Sequence, residues 1–257
     1  MSGGLIFDMG NVVINDAPYR QLDILGSNLE YWNIFEGATG NLTRNLVEGK
    51  PEAVVVGSPT YDPVAQAVTF KNQTNFLQLG MPHTADMSVY AICVPTALDS
   101  VVLSNYGSPR KDNPGVTTTG FSLMPSRGTT SGSWIVTQSG NNGGDTPGTL
   151  LQANTAFVAN KPNAIMGRFS AAGSGLNGMS VYNMTNGQNI GYAYGSGNGP
   201  VLGSSPRLGS AYGLSNTTFS TVLMAIVWSR TLGLTELATI HAYFKAEYSA
   251  KGIDIGG

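Results

Sequence analysis

From Glu48 onward the sequence alternates short strand-like runs with clusters of Gly, Pro, Asn and Ser, one run roughly every 8–15 residues. The runs include Ala53–Val56, Ala67–Phe70, Phe76–Leu79, Ser88–Cys93, Val101–Ser104 and Gly120–Met124. They continue through Ser133–Thr137, Ile165–Phe169, Met179–Tyr182, Ile190–Tyr194 and Phe219–Trp228. No helical periodicity separates them. Such a chain closes its apolar faces by packing antiparallel sheets against each other, in a sandwich or barrel. At 257 residues it is long enough to bury a substantial core.

Two local patterns sharpen this. Thr221–Trp228 is apolar on both alternating sets, Val222, Met224, Ile226 and Trp228 on one and Leu223, Ala225 and Val227 on the other. A strand with no polar face must be covered on both sides, so it is central to its sheet. The cover is expected from Leu234–Tyr248, where Leu237, Ile240, Phe244 and Tyr248 recur at helical spacing. Gly233 stands at the N-cap, Glu236 at the third helical position, and Gly252 at the stop. A hairpin is expected over Met179–Tyr194, with Asn186-Gly187 as a type I′ turn.

Composition then excludes function classes. Charged residues make up only 11% of the chain while hydrophobic residues make up 41%, which argues against disorder. A net charge of −2 offers no electrostatic footprint for nucleic acid or anionic lipid. The lone Cys93 cannot build a disulfide framework. Met1–Asn11 lacks a basic region and a long apolar run, and the longest apolar run of the chain, Val222–Trp228, is too short to span a membrane. The expectation is a soluble protein made in a cytoplasm, whose Asn-X-Ser/Thr sequences at Asn41, Asn72, Asn183 and Asn216 arise by chance.

The carboxylates argue against hydrolysis. All six Glu lie near the ends, at Glu30, Glu36, Glu48, Glu52, Glu236 and Glu247, and none lies between Ala53 and Thr235. Glycoside hydrolysis needs two carboxyls within about 5–10 Å, and sandwich glucanases normally carry them as Glu and Asp at alternate positions of one strand. Asp62, Asp86, Asp99, Asp112 and Asp145 are scattered instead. No Gly-x-Ser-x-Gly elbow is present. His83 reads as a loop residue and His241 as a packing residue beside the helical stripe, while Cys93 reads as a buried thiol. Two His and one Cys cannot supply a zinc tetrad, so no cofactor is expected. Calcium is the one alternative, with suitable oxygens at Asp112-Asn113 and Asn141–Asp145. The Gly-rich stretches Ala172–Gly178 and Gly195–Ser205 lack the Lys-Ser/Thr of a phosphate loop.

What remains is polar loop surface. Ser139–Gly148 and Gly195–Ser205 are long and small, with Trp134, Tyr192, Tyr194 and Tyr212 nearby. Sugars are held by an aromatic face under the pyranose and by planar amides and carboxylates on its hydroxyls. The glycan-binding candidates are therefore Asp112, Asn113, Asn141, Asn142, Asp145, Tyr192, Tyr194 and Tyr212.

The stretch Ala225–Lys245, AIVWSRTLGLTELATIHAYFK, resembles the closing segment of concanavalin A-like or laminin G-like jelly rolls. The matching residues are Arg230, Leu232, Glu236, Ile240 and Tyr243, with Gly233 where Ser is usual. Val181-Tyr182-Asn183 with Asn186-Gly187 is similar to that family's hairpin, and Val56–Thr60 with Val68–Phe70 to its first strands in bacteriophage tail proteins. The resemblance spans about Glu48–Ile255. It implies an all-β, two-sheet antiparallel jelly-roll sandwich with one C-terminal helix packed on it. The low charge, the many Gly, Ser, Thr and Asn and the lone Cys are similar to those of a bacteriophage virion protein folded in the host cytoplasm, and the missing Glu pair makes it non-enzymatic. The family then implies a tail-fibre or tip component, expected as a homo-oligomer. Its partners would be a host cell-surface glycan and other virion proteins. Met1–Val47, whose scattered short apolar pieces differ in texture from the rhythm that begins near Glu48, reads as the arm that attaches to the latter, residues 1–47 lying ahead of a sandwich at 48–257. The alternatives are a polysaccharide depolymerase or glucanase, and a purely structural virion module.

Overall fold

A computed structural model of the chain describes residues 23–95, 100–125, 133–141, 150–156, 160–170, 179–192, 199–215 and 217–256. Among them are eighteen strands and one α-helix. The first are β1 (Leu29–Ile34), β2 (Val54–Val56), β3 (Thr60–Asp62), β4 (Ala67–Lys71), β5 (Phe76–Gln78) and β6 (Met87–Val94). Next come β7 (Leu103–Ser104), β8 (Ser108–Pro109), β9 (Thr117–Thr118), β10 (Phe121–Pro125), β11 (Ser133–Asn141) and β12 (Leu150–Ala156). The last are β13 (Asn163–Phe169), β14 (Met179–Asn183), β15 (Gln188–Tyr192), β16 (Gly199–Pro200), β17 (Arg207–Leu208) and β18 (Phe219–Trp228), followed by α1 (Leu234–Ala250).

Two antiparallel sheets form a jelly-roll sandwich, and the helix makes a third layer. The first sheet runs β15-β14-β13-β6-β18-β4-β3, and the second β12-β11-β10-β7-β17-β5-β2. β18 is the centre of the first sheet, as its double-sided apolar sequence requires. One edge pairs with β6, while the other is shared between β4 at Phe219–Val222 and β1 at Met224–Trp228. Strict alternation fails within it at one point. The register against β6 slips between Val222 and Met224, which is a β-bulge. Val222 therefore joins Ala225 and Val227 in the core between the sheets, and Leu223 joins Met224, Ile226 and Trp228 beneath the helix.

Between the sheets, Val68, Phe70, Val89, Ala91 and Ile165 of the first meet Leu77, Leu103, Phe121, Leu123 and Leu208 of the second. On the far side of the first sheet, Leu237, Ile240, Phe244 and Tyr248 of α1 pack on Trp32, Tyr90, Ile226 and Trp228. Phe244 lies edge-on to Trp32 at 6.3 Å and stacks on Tyr90 at 5.9 Å. Burying such a side chain is worth about 1.5–3 kcal/mol. α1 begins at Gly233, whose N–H is accepted by Glu236 Oε2 at 2.7 Å, half of a capping box. It ends in a Schellman turn: Gly252 sits at φ +74°, and Gly252 N and Ile253 N donate to Ser249 O and Tyr248 O. Arg230 clamps this start, donating from Nη1 and Nη2 to the two oxygens of Glu236 at 3.1 and 2.7 Å. The Arg230–Glu236 pair quoted for the family resemblance thus fixes the strand-to-helix corner.

Two expectations are adjusted. β14 and β15 form the hairpin, but Asn183 pairs with Gln188, so four residues connect them rather than two. Only Gly187 of the Asn186-Gly187 pair has positive φ, +73°, so the turn is not type I′. The change of texture near Glu48 also does not mark the edge of the sandwich. Residues 29–34 are a strand of the first sheet, and Trp32, Phe35 and Leu46 are fully buried.

Candidate functional site

Alternation along the second sheet sorts its residues by face. Leu77, Leu208, Leu103 and Leu123 lie in register and point into the core. Their neighbours Gln78, Arg207, Ser104 and Ser122, also in register, belong to the opposite, outer face. The centre of that face is covered by the chain's own loops. Val101, Met124, Ala211 and Leu214 make a small apolar cluster there with Tyr106. Ser104 and Ser122 share a 2.7 Å hydroxyl hydrogen bond, and Tyr106 N donates to Ser104 Oγ at 2.9 Å.

These loops, residues 105–120 and 199–215, are held by a buried polar hub at His83. The imidazole is 1% exposed and packs 5.2 Å from the Phe121 ring. Its Nδ1 accepts from Asn105 Nδ2 at 2.8 Å and from Gly203 N at 2.9 Å, so the proton is on Nε2. Asn105 reaches further: Nδ2 donates to Ser204 O at 2.9 Å and Oδ1 accepts from Phe121 N at 2.8 Å. Lys111 Nζ donates to His83 O at 2.7 Å. Burial, with a lesser contribution from the Lys111 charge, pushes the His83 pKa down to about 3. The loops approach so closely that side chains are excluded. A Cβ at Gly203 would collide with Ser108 Oγ, and one at Gly107, already at φ +74°, with the Gly213 backbone.

At the margin of the covered region stands a cationic stack. The Arg207 guanidinium carbon lies 3.5 Å from the centre of the Tyr212 ring and 4.5 Å from that of Phe76. Gln78 Oε1 accepts from both Arg207 Nε (3.2 Å) and Tyr212 Oη (3.0 Å), and Tyr212 Oη also lies 2.9 Å from Ser205 O.

The candidate residues fall into three groups. Asp112 and Asn113 are exposed on the 105–120 loop, and Tyr212 is half-buried in the stack just described. Asn141 and Tyr192 end β11 and β15, with only their backbones described, opposite Gly199 and Met179. Asn142, Asp145 and Tyr194 lie outside the described residues. The segment 199–212 links most of the first two groups. Gly199 pairs with Asn141, Lys111 N donates to Leu202 O, Arg110 bridges to Gly203, and Ser205 O meets Tyr212. Tyr192 belongs to the other sheet.

Asp112 is not an open ligand. Arg110 grips both oxygens, Nε to Oδ1 at 2.8 Å and Nη2 to Oδ2 at 2.6 Å, and these hydrogen bonds lower its pKa. Among the described residues no group of three His, Cys, Asp or Glu is placed to hold a metal. Three of the Glu are paired: Glu30 with Lys50, Glu36 with Arg44 and Lys251, and Glu236 with Arg230. Sequence reasoning missed His83, Asn105, Gln78 and Arg207. His83 is a loop residue as expected, but a buried one that acts as a hub, and His241 packs as expected, its Nδ1 3.0 Å from Tyr90 Oη.

No family model matches the sequence, and no curated protein matches it. Solved structures do. The receptor-binding domain of botulinum neurotoxin type G aligns with a TM-score of 0.56 at 12% identity, covering 84% of this chain and 51% of that one. The botulinum neurotoxin serotype D binding domain gives 0.58 at 9% identity, covering 84% and 51%. Trypanosoma rangeli sialidase in complex with sialic acid gives 0.52 at 15% identity, covering 83% and 32%. The likeness is one of fold. The chain spans about half the length of these toxin domains and about a third of the sialidase.

Proposed function

We propose that this chain is a non-enzymatic carbohydrate-binding sandwich whose ligand surface is the loop cluster on the outer face of the second sheet. The observation that carries this reading is the hub at His83 and Asn105. It ties together two small polar loops, one presenting exposed Asp112 and Asn113 and the other carrying Tyr212 of the aromatic-cation stack. Such loops, ordered before a ligand arrives, lose little conformational entropy on binding. Two fold neighbours add support, since the sialidase carries sialic acid and the binding domain of botulinum neurotoxin DC is in complex with SialylT. The finer reading is that this sandwich faces host-cell glycans from a bacteriophage tail fibre or tip. It draws on the closing segment Ala225–Lys245 and on the low charge of the chain.

The test is a glycan array with purified protein, run with calcium and again with a chelator. Saturable binding to a defined saccharide is expected under both conditions, because Arg110 already occupies both oxygens of Asp112. A blank under both conditions overturns the reading. Release by the chelator would keep the glycan and transfer its site to metal-bound loop oxygens.

A further inference from the structure

The Arg207 stack has donors to spare. A guanidinium carries five N–H groups, and here Nε and one N–H of Nη1 are engaged, with Gln78 Oε1 and with Ala211 O at 3.4 Å. Nη2 has no acceptor among the described residues, and Arg207 has no carboxylate partner among them. Arg44, Arg110 and Arg230 all have one. The side chain is half-buried, so water and solutes reach it. Phe76 and Tyr212 both stack near the guanidinium, their ring centres 4.5 and 3.5 Å from its carbon, and Nη2 remains for a ligand.

The surroundings complete a small site. Val54 of β2 is in register with Gln78, which is in register with Arg207, and Val56 is in register with Phe76. Val54 is 62% exposed, and it stands on the edge strand of the sheet. An arginine held by two rings and a glutamine has already lost most of its rotamer freedom, so it meets an anion at little entropic cost. Beside it lies an apolar shoulder. A simple phosphate or sulfate satisfies the cation and leaves that shoulder unused. A carboxylated pyranose satisfies both, its carboxylate on the fork and its C–H face on the valines and the Tyr212 edge.

The geometry points to Arg207, Tyr212 and Val54 as the subsite for a carboxylated sugar, a sialic or uronic acid residue. This rests on the glycan-binding reading and names the ligand class of that surface. Titration calorimetry with sialyllactose, lactose and inorganic phosphate tests it, with Arg207→Gln and Val54→Glu as variants. Val54→Glu changes an exposed edge position, so it preserves the fold while offering Arg207 an internal carboxylate. Sialyllactose is expected to bind at least about tenfold more tightly than lactose, with both variants losing about that factor. Equal binding of the two sugars, untouched by either variant, overturns the subsite and leaves glycan binding standing. Competition by phosphate at the same concentration as sialyllactose overturns the carboxylated sugar in favour of a general anion site. Silence toward every saccharide, acidic and neutral, removes both proposals.

Discussion

His83 shows how much one side chain can organise. Its folded pKa is about 3, below the ordinary value of 6.5, so the folded state resists protonation more than the unfolded chain does. The stability this represents is complete above about pH 6.5 and is lost as the pH falls toward 3, because unfolding then takes up a proton. Each pH unit in that window costs roughly 1.4 kcal/mol, so between pH 6.5 and pH 4.5 the protein should lose roughly 2–3 kcal/mol through this residue. Denaturant titrations at the two pH values check it, with His83→Gln expected to flatten the dependence. Proton spectra should also show the His83 ring neutral down to pH 4. Asn105→Ala removes both donors at Nδ2 and the acceptor for Phe121 N, and should cost about 2–3 kcal/mol of stability. None of this was legible in the sequence. The partners of His83 lie 22 and 120 residues away, and nothing beside Pro82 distinguishes a hub from a turn.

At the level of elements, legibility follows how local the determinants are. The helix was readable to within two residues because its stripe, its Glu236 hook and its Gly252 stop all lie within it or one turn away. Two substitutions test those ends. Gly233→Ser supplies the hydroxyl the capping box lacks and should stabilise by a few tenths of a kcal/mol. Gly252→Ala places a Cβ at φ +74° and should cost about 1 kcal/mol, both read from thermal melts. The hairpin at β14 and β15 was readable as a pair of strands, not as a turn type. Its connection is shaped by Thr185, whose hydroxyl donates to Ile255 O, 70 residues later. The bulge at Val222 was invisible for a similar reason. From Val222 to Trp228 every residue of β18 is apolar, so no polar marker shows where the alternation slips between Val222 and Met224.

For the whole molecule, the rhythm of short runs and the double-sided strand were enough to reach the sandwich and its helical cover. The candidate surface was reached only in outline, because it is assembled from segments near residues 78, 83, 105–120 and 199–215, and registers between distant strands leave no trace in local composition. The place of residues 29–47 is the clearest case. They read as separate in texture, yet β1 completes the upper half of β18's outer edge, and Trp32 is fully buried under Phe244. A chain beginning at residue 48 should therefore fail to melt cooperatively, whereas separating an independent arm would leave the transition intact. Trp32→Ala in the full chain should cost about 3–5 kcal/mol by the same measurement.

The sharing of β18 between β1 and β4 also has a consequence in time. A ribosome delivers β1, β4 and β6 long before it delivers the strand they all pair with, which begins only at Phe219. Until then three strands wait with open edges, and pairings this distant in sequence make for slow folding. The keystone of this arch is the last stone of the sheet to be cut, and a translation arrested before residue 219 leaves a chain with no centre to close around.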